Sequence, residues 1–168
     1  MQRMCGFTLP EILMTLAVMT LLSFIAAPLT DMISSVRTRH FSDQLYALIQ
    51  QTRLHAMTQR KRVTLCPLSP DGQCTHDWNM ALVSFEDANG NRRLDPTEKP
   101  LANLDAIRGL DLKWAGMGDG RSLHFNGLGI TAVTNGRFTL CRNGLAKREI
   151  VLNRQGRLRS QAASNSPC

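Results

Sequence analysis

Gly6-Phe7-Thr8-Leu9-Pro10-Glu11 runs directly into an apolar stretch at 12–29, and how that junction is read decides the rest of the chain. A secretory signal peptide carries its cleavage site after its apolar region. Here the candidate scissile position, behind Gly6, comes before it, so cutting there leaves the hydrophobic helix on the mature chain. The run is about the 20 residues a bilayer span requires. A carboxylate inside such a run costs about 2.5–3.5 kcal/mol on insertion scales unless it finds a partner. Glu11 therefore needs either a hydrated place at the interface or a cation. An α-amine freed at Phe7, on its own or a neighbouring subunit, is the cation that cleavage would supply.

The leader carries Arg3 and the initial amine, which the positive-inside tendency holds on the cytoplasmic side. Everything beyond the span is then exported to an oxidising space. Cys5 has no apolar stretch before it, which sets aside a lipoprotein, and it leaves with the leader. Cys66, Cys74, Cys141 and Cys168 remain, and four cysteines allow three pairings. Cys66 with Cys74 closes a short Pro/Gly loop and Cys141 with Cys168 ties down a polar tail, so these two disulfides are expected. The spacing from Cys66 to Cys74 to His76 lacks the close cysteine pairs of structural zinc sites, and no metal is expected.

Past the apolar run, residues 30–62 contain no glycine, and Phe41, Leu45, Leu48, Ile49, Thr52 and Ala56 recur at helical spacing. The helix is expected to continue as a rod of roughly 80 Å, apolar all round in its first half and with one buried stripe in its second. Pro10 falls in the first turn, and Pro28, inside, predicts a kink. After Arg60-Lys61-Arg62 the period changes to short runs at 63–68, 80–85, 110–114, 122–126, 137–142 and 149–153, separated by turn residues. The fold class is α+β, with the long N-terminal helix packed on a small, mostly antiparallel sheet. The organisation predicted is a leader at 1–6, a transmembrane helix at 7–29, an amphipathic continuation at 30–62 and one β-rich head at 63–168.

The chain has 20 Lys and Arg against 13 Asp and Glu, a net charge of +7. Between Arg137 and Arg159 stand Arg137, Arg142, Lys147, Arg148, Arg154, Arg157 and Arg159 against Glu149 alone, which gives +6 of that excess. A block so dense is the footprint of a polyanion partner. In Gly156-Arg157-Leu158-Arg159, an extended backbone puts both arginines on one face, about 6–7 Å apart. Gly156 would let a partner approach the main chain. The loop 87–98 places side-chain oxygens as an EF-hand does, but Arg92 occupies the position that requires glycine. An Asx-rich turn is expected there instead. His40, His55, His76 and His124 sit in separate contexts, and no nucleophile elbow, P-loop or zinc-protease pattern occurs, so neither an enzyme nor a cofactor is expected.

Gly6, Phe7 and Glu11 together resemble the class III signal of type IV pilins and pseudopilins. The resemblance implies cleavage after Gly6 by a prepilin peptidase, methylation of Phe7, and a Glu11 that neutralises a neighbour's amine during filament assembly. Trp78, Phe85, Asp87-Ala88-Asn89-Gly90-Asn91, the 125–129 segment and the later strands resemble minor pilins of the FimT and GspH type. Gly156-Arg157-Leu158-Arg159 resembles the motif by which FimT-like pilins bind DNA, which implies that role for Arg157 and Arg159. Arg154, Arg148, Lys147 and Arg142 join the candidate site on charge and proximity. The partners implied are double-stranded DNA, other major and minor pilins, the peptidase and, before assembly, the bacterial inner membrane. The alternative is a type II secretion pseudopilin, or a purely structural pilus-priming subunit, without DNA binding.

Overall fold

The computed structural model describes residues 8–168 apart from 107 and 132, without the side chains of 24–31. The expectations for Gly6 and Phe7 lie outside the described residues, and at Pro28 the helix continues without a break. The chain divides into two units, Met1–Arg37 and Thr38–Cys168.

Helix α1 spans Leu9–Gln59. The Thr8 carbonyl accepts from the N–H of Glu11 at 3.0 Å and of Ile12 at 3.3 Å, opening the ladder. Glu11 thus sits in the first turn, where the helix dipole favours a negative charge. In the first unit the apolar side chains from Leu9 to Leu22 stand exposed. Among the described residues, no helix is long and apolar enough to cross a membrane.

In the second unit the helix buries the stripe read from the sequence, from Phe41 through Leu45, Leu48, Ile49 and Thr52 to Ala56. It ends because Arg60 turns left-handed, at φ 53°. Lys61 N–H then reaches back to the Ala56 carbonyl at 3.2 Å, the six-to-one bond of a Schellman cap.

Eight strands follow: β1 Val63–Pro67, β2 Leu82–Glu86, β3 Pro100–Leu104, β4 Asp111–Gly116, β5 Leu123–Phe125, β6 Gly136–Arg142, β7 Leu145–Leu152 and β8 Leu158–Ala162. They form two four-stranded antiparallel sheets, ordered β3-β2-β1-β5 and β4-β6-β7-β8, rather than one. The helix stripe packs with Val63, Leu65, Leu123, Phe125, Phe138, Leu140, Ile150 and Leu152 into one core. Phe138 lies against the rings of Trp114 at 4.3 Å and Trp78 at 5.0 Å. A smaller cluster of Cys66, Cys74 and Phe85 fills the space between β1, β2 and the loops that follow them.

Disulfides join Cys66 to Cys74 and Cys141 to Cys168. The second one lays the C-terminal tail along the β6–β7 hairpin. There Ala146 N–H donates to Ser166 at 2.9 Å and Cys168 N–H donates to Gly144 at 2.9 Å.

Candidate nucleic-acid interface

Register in the second sheet assigns each basic residue a face. Leu112, Phe138, Leu140, Ile150 and Leu152 point into the core, so the alternate positions point away from it. The outward rows are Ala115, Arg137, Val151 and Arg159, and beside it Lys113, Thr139, Glu149 and Gln161. Arg137 and Arg159 stand two strands apart, about 10 Å at ordinary strand spacing. Arg157, one alternation before Arg159, shares its face. Both are exposed, as is Arg154 at the tip of the β7–β8 turn.

The turn itself is tightly built. Asn153 N–H donates to the Arg157 carbonyl at 3.1 Å, Gly156 N–H to the Asn153 carbonyl at 3.0 Å, and Arg157 N–H to Asn153 Oδ1 at 2.8 Å. Among the described residues, the guanidiniums of Arg154, Arg157 and Arg159 have no hydrogen-bond or ion-pair partner. Of the acids on this face, Glu149 is occupied by Arg137 Nη1 at 3.0 Å and Gln161 Nε2 at 3.0 Å, and Asp111 stands exposed at the start of β4.

The remaining candidates do other things. Arg148 alternates with Lys147 and Glu149 and so falls on the core side, where Nε donates to Ser42 Oγ of α1 at 3.2 Å and Nη2 to Ser160 Oγ at 3.1 Å. It ties helix to sheet. Lys147 Nζ donates to Asn165 Oδ1 at 2.9 Å, holding the tail. Arg142 is half-buried, with Nη1 enclosed.

Gly156 is buried, and a Cβ on it would meet the Gly129 carbonyl oxygen at 2.1 Å and Arg53 Nε at 2.7 Å. Its missing side chain therefore makes room for the chain's own backbone rather than for a partner. Arg53 occupies that junction, donating to Gly129 O at 3.0 Å and Gln155 O at 3.2 Å. This staple from α1 holds the arginine turn in place. The sequence offers little sign of it, because a lone cation beside a buried stripe reads as solvated. Lys113, also on the outward face, could have been found by carrying the alternation through β4.

In the 87–98 loop the carboxylates serve the loop itself. Asp95 Oδ2 accepts from Asn89 at 2.9 Å and Asn91 at 2.8 Å, and Glu98 takes the N–H of Ala88 and of Asp95. Asp87 is buried and accepts from Thr64 Oγ1 at 2.6 Å. Among the described residues, no group of carboxylate, cysteine and histidine ligands is arranged to hold a metal.

A long N-terminal helix whose C-terminal half packs against antiparallel sheets is the arrangement of the type IV pilin fold. Residues 42–156 match the family model described as type II transport protein GspH, and the chain belongs to that family, among the minor pilins and pseudopilins of the GspH–FimT type. Two crystal forms of the type IV minor pilin FimU from Pseudomonas aeruginosa strain PAO1 share the fold at 20% identity. Their TM-scores are 0.53 and 0.55, and the likeness covers 76% and 77% of this chain and 98% and 94% of FimU. No curated protein sequence matches the chain. Membership places it with structural, non-enzymatic subunits.

Proposed function

We propose that the chain is a minor type IV pilin that captures double-stranded DNA without sequence preference for uptake in natural transformation, from a position at or near the pilus tip. The observation that carries this reading is the set of three exposed guanidiniums, Arg154, Arg157 and Arg159, left without intramolecular partners on one turn and strand. Contacts of that kind bind phosphates and position a duplex without reading its bases. In the same reading, prepilin peptidase removes residues 1–6 and methylates Phe7. Residues 7–29 hold the subunit in the inner membrane with its head in the periplasm until assembly, and Glu11 neutralises the amine of an adjacent subunit.

The family's description as a type II transport protein favours a second reading, a secretion pseudopilin whose basic face contacts exported proteins or neighbouring subunits. Cells carrying Arg157→Ala with Arg159→Ala separate the two. Under the DNA reading they assemble pili at the normal level and lose most transformation by external DNA; unchanged transformation favours the secretion reading. Intact mass of the mature subunit checks the processing step, which gives a chain beginning at methylated Phe7. A chain still beginning at Met1 overturns it.

A further inference from the structure

Away from the arginine turn, the 87–98 loop, the disulfide hairpin at 68–74 and the 117–121 connection enclose a hollow of about 470 Å³ whose lining includes Gln73, Gly90, Arg92, Arg93, Asp119 and Arg121. Its lining holds three guanidiniums and one carboxylate. Arg92 Nη1 and Arg121 Nε both converge on Asp119 Oδ2, the latter at 3.4 Å. Arg93 Nη2 donates to the Asp71 carbonyl at 3.4 Å, and its charge also helps hold the carboxyls of Asp71, lowered first by Ser69, and Asp95, lowered first by Asn89, below the usual range. Beneath the hollow lies a fourth guanidinium, since a Cβ on Gly90 would stand 3.0 Å from Arg62 Nη1. Arg62 faces the buried Asp87 at 3.8 Å. The other loop carboxylates, Asp95 and Glu98, take their hydrogen bonds from asparagine amides and backbone N–H groups, with Asp95 also within the field of Arg93.

The walls are fixed rather than loose. Cys74 N–H donates to the Arg92 carbonyl at 3.2 Å and Leu94 N–H to the Gly72 carbonyl at 2.8 Å, while the Cys66–Cys74 disulfide anchors the hairpin to β1. His124 nearby is pushed down to about 4, first by burial and then by Arg62 and Arg92, against the opposing pull of Asp87 and Asp119. One oxygen of Asp119 shared between two forks leaves most of their donors unused. A tetrahedral oxyanion has the acceptors to fill them, and guanidinium forks match phosphate bidentately.

We propose that this hollow binds a phosphate-class oxyanion, free or carried on a phosphodiester, between Arg92 and Arg121 with Arg93 at its rim, and that Asp119 stands in for the ligand when the site is empty. The test is calorimetric titration of the full chain, in mild detergent at constant ionic strength, with inorganic phosphate. The wild type shows saturable binding. Arg92→Gln with Arg121→Gln weakens it about tenfold or more, the worth of one charge-assisted hydrogen bond. Asp119→Asn, which releases both forks, tightens it.

Non-saturating heat in the wild type, or equal affinity in the arginine variant, overturns the proposal. So does a lack of tightening in Asp119→Asn, which keeps the test decisive if the arginine variant fails to fold. A DNA duplex titrated into Arg157→Ala with Arg159→Ala names the source. Residual binding that falls when the hollow's arginines are also changed assigns a phosphodiester, and binding that stays the same assigns the free ion. Because phosphate binding in the hollow needs neither Arg157 nor Arg159, its failure and failure of the DNA reading are seen separately.

Discussion

Gly156 has a φ of 78° and its α-carbon faces the Gly129 carbonyl, so Gly156→Ala combines a left-handed strain with a backbone clash. The expected loss is about 1–3 kcal/mol of unfolding free energy from the strain alone, measured by urea titration. Arg148 is the matching case among the cations. Losing its bonds to Ser42 and Ser160, Arg148→Ala should cost about 1–3 kcal/mol and leave DNA affinity unchanged; reduced DNA binding in a fully folded Arg148→Ala chain would return it to the interface. His124 has its folded pKa lowered from 6.5 to about 4, so between those values the unfolded chain binds more protons and stability rises with pH. The thermal midpoint of the wild type should therefore fall as pH drops from 6.5 towards 4, and His124→Asn should flatten that fall. Glu86, whose carboxyl is held low by Lys61 and then His55, contributes stability that is present above its unfolded value of 4.5 and lost as pH falls through its folded value, a lower window. Residue type and alternation were enough to find the arginines. They were not enough to sort Arg148 from Arg159, because both fall in the same basic block and only strand register decides which face each takes.

At the scale of elements, α1 was legible because its stripe from Phe41 to Ala56 keeps one period, and its end was signalled by three successive cations. The cap itself was not, since the left-handed position holds Arg60 where glycine is usual. Strand β7 begins at Leu145, four residues before its expected start, and the sign was present in Asn143-Gly144, both at positive φ, the pair that a tight hairpin turn prefers. Strand β3 opens with Pro100 and has no clean alternation of burial, so pattern gave no purchase on it. The tail after β8 has little core of its own and depends on Cys141–Cys168, Lys147 and the hairpin. Replacing both cysteines by serine should cost about 2–4 kcal/mol, and hydrogen exchange should show protection lost first at Ala146 and Cys168. Uniform loss across the sheets would mean that the disulfide supports the whole head instead.

For the whole molecule, the class of fold was legible from the join of the Gly6–Glu11 motif and its apolar run to a β-rich head, and the order of those segments did more than any one strand. What the sequence did not show was the division of the strands into two sheets, which depends on pairings between distant segments, or the Arg53 staple that couples α1 to the arginine turn. The net charge of +7 is concentrated near the chain's end, yet Arg137, Lys147 and Arg148 are each held by neighbours. Arg142 is half-buried, so of the seven basic residues three present exposed guanidiniums that are unpaired among the described residues: Arg154, Arg157 and Arg159. A few phosphate contacts correspond to dissociation constants around 10⁻⁴–10⁻⁶ M at physiological salt. The most direct measurement is a gel-shift titration of the full chain in detergent with a DNA duplex at two salt concentrations, wild type beside Arg157→Ala with Arg159→Ala. The account predicts uniformly weaker binding across unrelated sequences and a salt slope lower by roughly one logarithmic unit per lost contact. Identical affinity and slope for the two chains, or no binding by the wild type, would contradict it.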